Sequence, residues 1–210
     1  VMTEMTNVSA EARITLGCTG MYDDRHVAAW RRVTDFVHRE SFSKIGIQLG
    51  HAGRKGSTLP PWQGQDVPLE SGGWETIGPS ALPWDTRHAP PRVMTRADMN
   101  RVTADFVRAA ERSVLAGFDL VELHCAHGYL LSTFLSPLTN QRDDEYGGSP
   151  ESRCRYPLEV FQAMRAALPQ EMPMSVRINA SDWAPEGTSE EDVLTFARLL
   201  KRAGCDLIDV

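Results

Sequence analysis

Four cysteines are all that 210 residues supply, and none of them stands in a CxxC pair. Cys18, Cys125, Cys154 and Cys205 are widely separated, which argues against a disulfide framework or an iron–sulfur cluster. They read as single thiols in a reducing cytosol. Long hydrophobic runs are missing too. No stretch approaches the ~18 apolar residues of a membrane helix, and the opening VMTEMTNVSAEAR lacks a signal-peptide pattern. Positive charge is outnumbered and scattered, with 22 Lys and Arg against 28 Asp and Glu for a net charge of −6. Nucleic acid and acidic lipid are therefore poor candidate partners.

What is present suits an ordinary globular protein of one domain, residues 1–210, with 41% hydrophobic and 24% charged residues. Short apolar runs alternate with amphipathic stretches. Residues 44–49 (KIGIQL), 118–123 (FDLVEL), 174–178 (MSVRI) and 206–210 (DLIDV) read as strands, with 1–5 as another. Helices are expected over 23–39, 96–116, 153–168 and 189–203. The second starts at the N-cap Thr95 and the fourth at a capping box of Thr188 and Glu191. Gly117 and Gly204 follow the second and fourth helices as left-handed stop residues.

AGFDLVEL (116–123) is echoed by AGCDLIDV (203–210), a helix ending at Gly whose Asp-containing turn feeds a strand. Strands alternating with helices imply a parallel sheet. The repeat favours a (β/α)₈ TIM barrel, although a doubly wound open sheet would contain it as well. Only five strands are visible where a closed barrel needs eight, so an excerpt of a longer chain is expected. Residues 51–92 show no periodicity but hold seven of the thirteen prolines and Trp62, Trp74 and Trp84. That composition suggests an ordered lid after a strand, with a floppy insertion as the alternative.

Barrel enzymes work where their strands end. The strand 118–123 runs into His124-Cys-Ala-His127-Gly-Tyr129. Two imidazoles and a phenol so placed can converge on one oxygen atom, polarise it and deliver a proton. As zinc ligands the histidines would need further partners. His51 is available, but no His-x-His on an earlier strand and no strand-end carboxylate pattern accompanies it, so no metal is expected. Gln48 and Arg177 sit inside otherwise apolar strands, where an unpaired amide or guanidinium is costly. A flavin ring edge would satisfy both, and a structural ion pair is the competing explanation for Arg177.

The segments GIQLGHAGRKG (46–56), ELHCAHGYLLSTFLSPLTNQRDDEYGGSPESR (122–153), SVRINASDW (175–183) and DLIDV (206–210) resemble the old yellow enzyme family of NADH:flavin oxidoreductases. The match spans nearly the whole chain in order. The second histidine, His127, is similar to the bacterial His/His branch. The resemblance implies an α/β, (β/α)₈ TIM barrel with strands 2–6 in this chain. The first strand would lie upstream of Val1 and the phosphate-binding loops beyond Val210. It implies FMN, with NAD(P)H as reductant. Gln48, Arg177 and His124 would contact the flavin, His124 and His127 would bind the substrate oxygen, and Tyr129 would donate the proton.

The implied activity is hydride transfer to the C=C bond of an α,β-unsaturated carbonyl compound in the cytoplasm. The Arg54-Lys55-Gly56-Ser57 continuation with Trp62, Asp66-Val-Pro-Leu69 and Trp74 is similar to one subgroup. That subgroup is the FMN reductase part of aminobenzoyl-CoA or salicylyl-CoA monooxygenase/reductases, which act on a dearomatised CoA thioester. The implied partners are an enone or acyl-CoA small molecule, no nucleic acid and no membrane. A homo-oligomer and fusion to an upstream flavin monooxygenase domain belong to the same expectations. A metal-dependent barrel hydrolase and a non-catalytic barrel remnant are the rival readings.

Overall fold

The computed structural model describes residues 1–210. Its elements run β1 (Met2–Asn7), α1 (Asp24–Glu40), β2 (Gly46–Gly50), a 3-10 turn (Gly53–Lys55), β3 (Ile77–Gly78), β4 (Arg92–Val93), α2 (Arg96–Leu115), β5 (Leu120–Cys125), α3 (Leu130–Leu135), α4 (Pro150–Ala167), β6 (Met174–Ile178), α5 (Glu190–Arg202) and β7 (Leu207–Asp209). No helix is long and apolar enough to cross a membrane.

Strands β1, β2, β5, β6 and β7 form one sheet in that order, each pair parallel. Order in space thus equals order along the chain. With right-handed crossovers, this stacks every intervening helix on one side of the sheet. A doubly wound sheet must instead reverse its order at a switch point. Consistent with a barrel wall, α1 packs on α2, α2 on α4 and α4 on α5. The sheet is five successive strands of a (β/α) barrel.

Register sorts the side chains, because paired residues of parallel neighbours point the same way and successive residues alternate. Ile47, Leu49, Val121, Leu123, Cys125, Val176 and Ile178 occupy one face and are buried beneath the helices, alongside Met99, Val102 and Phe106 of α2. The other face carries Gln48 beside Glu122, Glu122 beside Ser175, His124 beside Arg177, and Arg177 beside Asp209. One face is oil; the other is a row of polar groups.

The sequence echo has a physical cause. Asp119 accepts from the Ile45 N–H at 2.9 Å and donates its own N–H to the Ile45 carbonyl. Asp206 makes the same exchange with Met174. Each Asp thereby ties the start of its strand to the start of the strand before. The glycines preceding them, Gly117 and Gly204, stand at φ +83° and +90°, where a Cβ is strained.

Some boundaries differ from expectation. α4 begins at Pro150 behind the Ser149 cap rather than at Arg153, since Pro is tolerated in a first helical turn. The capping box of α5 is Ser189 with Asp192, not Thr188 with Glu191. Thr188 is used elsewhere, its hydroxyl and N–H both donating to Asp182. Within 51–92 the short strand β3 pairs with β4. Only two of the three tryptophans there pack, since Trp62 is 80% exposed.

Candidate active site

The polar row ends in a tight turn after β5. His127 and Gly128 adopt left-handed backbone, at φ +61° and +70°. For a histidine this conformation costs ~1 kcal/mol or more and needs outside support. Three groups supply it. The His127 N–H donates to Asn179 Oδ1 at 2.9 Å, its carbonyl accepts from Lys55 Nζ at 2.7 Å, and the Gly128 N–H donates to the Ser132 hydroxyl at 3.2 Å. Tyr129 then stands at the N-cap position of α3, its phenol making no capping bond.

The result is the convergence that the sequence suggests. The ring centroids of His124 lie 4.9 Å from His127 and 5.2 Å from Tyr129. His124 Nδ1 accepts the Ala126 N–H at 3.1 Å, so its proton sits on Nε2. That Nε2 lies 3.1 Å from His127 Nδ1, which must accept. The remaining donor of the pair is His127 Nε2–H. Burial, then the neighbouring His127 and Arg177, hold His124 down at about 3. Burial, Arg177 and Lys55 lower His127 too. Both rings are therefore neutral hydrogen-bond donors at pH 7. Burial raises Tyr129 and keeps its phenol protonated.

Gln48 and Arg177 share the face of His124. Along a strand, two residues span about 6.6 Å, so all three line one continuous patch. Each has a protein partner, so neither depends on a flavin to be satisfied. Gln48 Nε2 donates to Glu122 Oε1 at 2.8 Å. Arg177, only half-buried, pairs with Asp209 at 3.2 Å, the ion pair that competed with the flavin explanation. Yet the Gln48 carbonyl oxygen accepts nothing, and Gln48, Glu122, Arg177 and Asp209 line a cavity of about 590 Å³ with Met2 and Met5. A free amide acceptor, its second N–H and a guanidinium are the groups that a flavin pyrimidine edge requires. The residues present fit the ring of FMN.

Glu122, Lys55 and Asn179 belong to the site although none stood out as an individual residue. Glu122 was detectable, because it lies two positions before His124 in one strand and must share its face. Lys55 and Asn179 act through backbone groups of a distant turn, which leaves no local signal. Lys55 Nζ also sits 3.7 Å from the centre of the Trp84 ring. Arg54, Lys55, Trp84, His127 and Trp183 line a second cavity of about 770 Å³ beside the histidines. His51 is remote in role: it is fully buried and its Nδ1 accepts from the Gly53 N–H. No trio of His, Cys, Asp or Glu side chains clusters to hold a metal ion.

Parallel barrel strands, a polar inner row and a strand-end His-His-Tyr cluster together define a class, and comparison with known proteins agrees. The chain belongs to the NADH:flavin oxidoreductase / NADH oxidase family, whose profile matches residues 1–210. An NADPH dehydrogenase of Geobacillus sp. (strain WCH70) is 43% identical over 210 residues, covering 100% of this chain and 57% of the relative. Morphinone reductase superposes with a TM-score of 0.85 at 29% identity, over 99% of this chain and 57% of that one. A 2-naphthoyl-CoA reductase in complex with 2-naphthoyl-CoA gives a TM-score of 0.86 at 26% identity, over 99% of this chain and 32% of that one. The chain spans a little over half the length of the curated relatives it matches.

Proposed function

We propose that this chain forms the ring-binding and substrate-activating wall of an FMN-dependent NAD(P)H oxidoreductase of the ene-reductase type. The observation that carries this reading is that His124 shares a sheet face with Gln48 and Arg177 and has the rings of His127 and Tyr129 gathered against it. FMN, when bound, would accept a hydride from NAD(P)H and deliver it to the β-carbon of an α,β-unsaturated carbonyl compound. Gln48 and Arg177 would hold the flavin edge. His127, with His124 behind it, would hold the carbonyl oxygen of the substrate, where negative charge grows in the transition state. Donors so placed are worth roughly 10²–10³ in rate. Tyr129, kept protonated by burial, would protonate the α-carbon.

In stopped-flow experiments, Tyr129→Phe is expected to slow enone-dependent reoxidation by roughly 10²–10⁴ while leaving reduction by NAD(P)H intact. An unchanged reoxidation rate removes Tyr129 from the role. Likewise, His124→Ala is expected to abolish the charge-transfer band that a phenol ligand produces on binding.

The second cavity favours one narrower substrate class. Its Arg54, Lys55, Trp84 and Trp183 combine cationic and aromatic groups, which suit an aromatic acyl-CoA thioester. The similarity to a 2-naphthoyl-CoA reductase supports this second reading. Fusion to a flavin monooxygenase domain, homo-oligomer formation and a cytoplasmic location belong to the same proposal. Turnover of a simple enone but no binding of an acyl-CoA would reject the narrower class alone.

A further inference from the structure

Glu122 is an enclosed carboxylate in the one row of the sheet that the proposed chemistry uses, yet that chemistry gives it no task. It is 2% exposed in the middle of β5. Its Oε1 accepts from Gln48 Nε2 and its Oε2 from the Ser175 hydroxyl, each at 2.8 Å. The nearest guanidinium on the row, Arg177, is paired to Asp209 instead. Burying a carboxylate is expensive, and an apolar side chain would fill the position at lower cost.

Gln48 supplies a reason for it. A primary amide has two ends of nearly the same shape, a carbonyl and an NH₂, and packing alone hardly distinguishes them. A carboxylate can only accept, so only the NH₂ end can face it. The contact with Glu122 therefore locks the amide. One N–H is spent on the carboxylate, while the carbonyl oxygen and the second N–H remain for the cavity that Gln48 shares with Arg177. An acceptor beside a donor complements an imide edge, in which an N–H stands next to a C=O. The flavin pyrimidine ring has such an edge. With the amide reversed, the cavity would face two donors, which cannot meet an imide N–H. Ser175 anchors the other carboxylate oxygen and so keeps Glu122 aimed at Gln48.

We infer that Glu122 is a positioning residue which fixes the orientation of the Gln48 amide, so that its carbonyl oxygen is presented to an imide N–H of the bound flavin. This rests on the proposed FMN site, where Glu122 acts through Gln48.

The test is a comparison of dissociation constants for FMN and N3-methyl-FMN, measured by flavin fluorescence on the full-length protein. The wild type should hold FMN more tightly by roughly 10-fold or more, the value of a buried donor or acceptor left unpaired. In Glu122→Gln the new amide can donate as well as accept, so Gln48 is free to turn. FMN should weaken by roughly 10-fold, the methylated analogue much less, and their ratio should fall to about 3 or below. A merely structural role would weaken both and leave the ratio unchanged.

Glu122→Asp, which withdraws the acceptor by one methylene, should lower the ratio in the same way. Ser175→Ala should lower it by a smaller factor, and it decides the matter if both Glu122 variants aggregate. An unchanged ratio in a variant that still binds FMN, or a wild-type ratio near 1, overturns this inference alone. A wild type that binds neither flavin overturns the FMN reading, and this inference with it.

Discussion

Lys55 shows how much one side chain can hold in this site. It donates to the carbonyl of His127, lies over Trp84 and stands 5.5 Å from the Tyr129 ring centre. The turn it grips contains two successive left-handed residues, a conformation that relaxes unless its polar groups are engaged. Lys55→Met should therefore displace His127 and Tyr129 together. The expected outcome is a roughly 10-fold loss of phenol-ligand affinity with little change in thermal midpoint; an unchanged affinity would show that Asn179 and Ser132 suffice. At this scale the sequence reveals groups that cluster along the chain. His124, His127 and Tyr129 are legible because one strand runs straight into all three. The partners of Gln48 and Arg177 are not, since Glu122 and Asp209 reach them only after the strands pair.

Elements were legible where an apolar pattern ran long enough to leave only one way to bury it. Of the main sheet, β6 matches its expected span of 174–178 and the other four strands differ by a few residues at their ends. α3, β3 and β4 escaped because six or two residues carry no periodicity. Caps were harder to read, because Thr188 and Ser189 are adjacent and chemically alike. Only the observed contacts separate them, with Ser189 on the helix and Thr188 on Asp182. Ser189→Ala should thus lower stability by about 1 kcal/mol in urea unfolding. An undiminished midpoint would show that the α5 cap carries no weight.

The order of the strands needed the third dimension, since the helix-to-strand echo suits a barrel and an open sheet alike. For the molecule as a whole, two buried histidines contribute to the response to acid, in a window above that of the paired carboxylates. Burial is the main cause in each case, holding His51 at about 4 and His124 at about 3. The unfolded chain takes up protons near 6.5 that the folded chain refuses. Stability should therefore rise with pH across this window. It should be lost as pH falls from about 6.5 toward 4 for His51 and toward 3 for His124. Inside its window each histidine adds about 1.4 kcal/mol per pH unit to the slope. Urea midpoints at pH 7, 6 and 5 should decline in sequence; a flat profile would mean that these rings are open to water.

The division of the sheet into an oily face and a polar face also bears on how the strands find one another. Because side chains alternate, sliding β5 by a single residue would drive Glu122 and His124 into the helix layer and turn Val121 and Leu123 outward. Such a misalignment would strand a carboxylate among hydrocarbon. The groups to which the proposed chemistry is assigned thus also reject mispaired strands as the chain assembles, so neutralising them for robustness would blur the alignment that puts them in place.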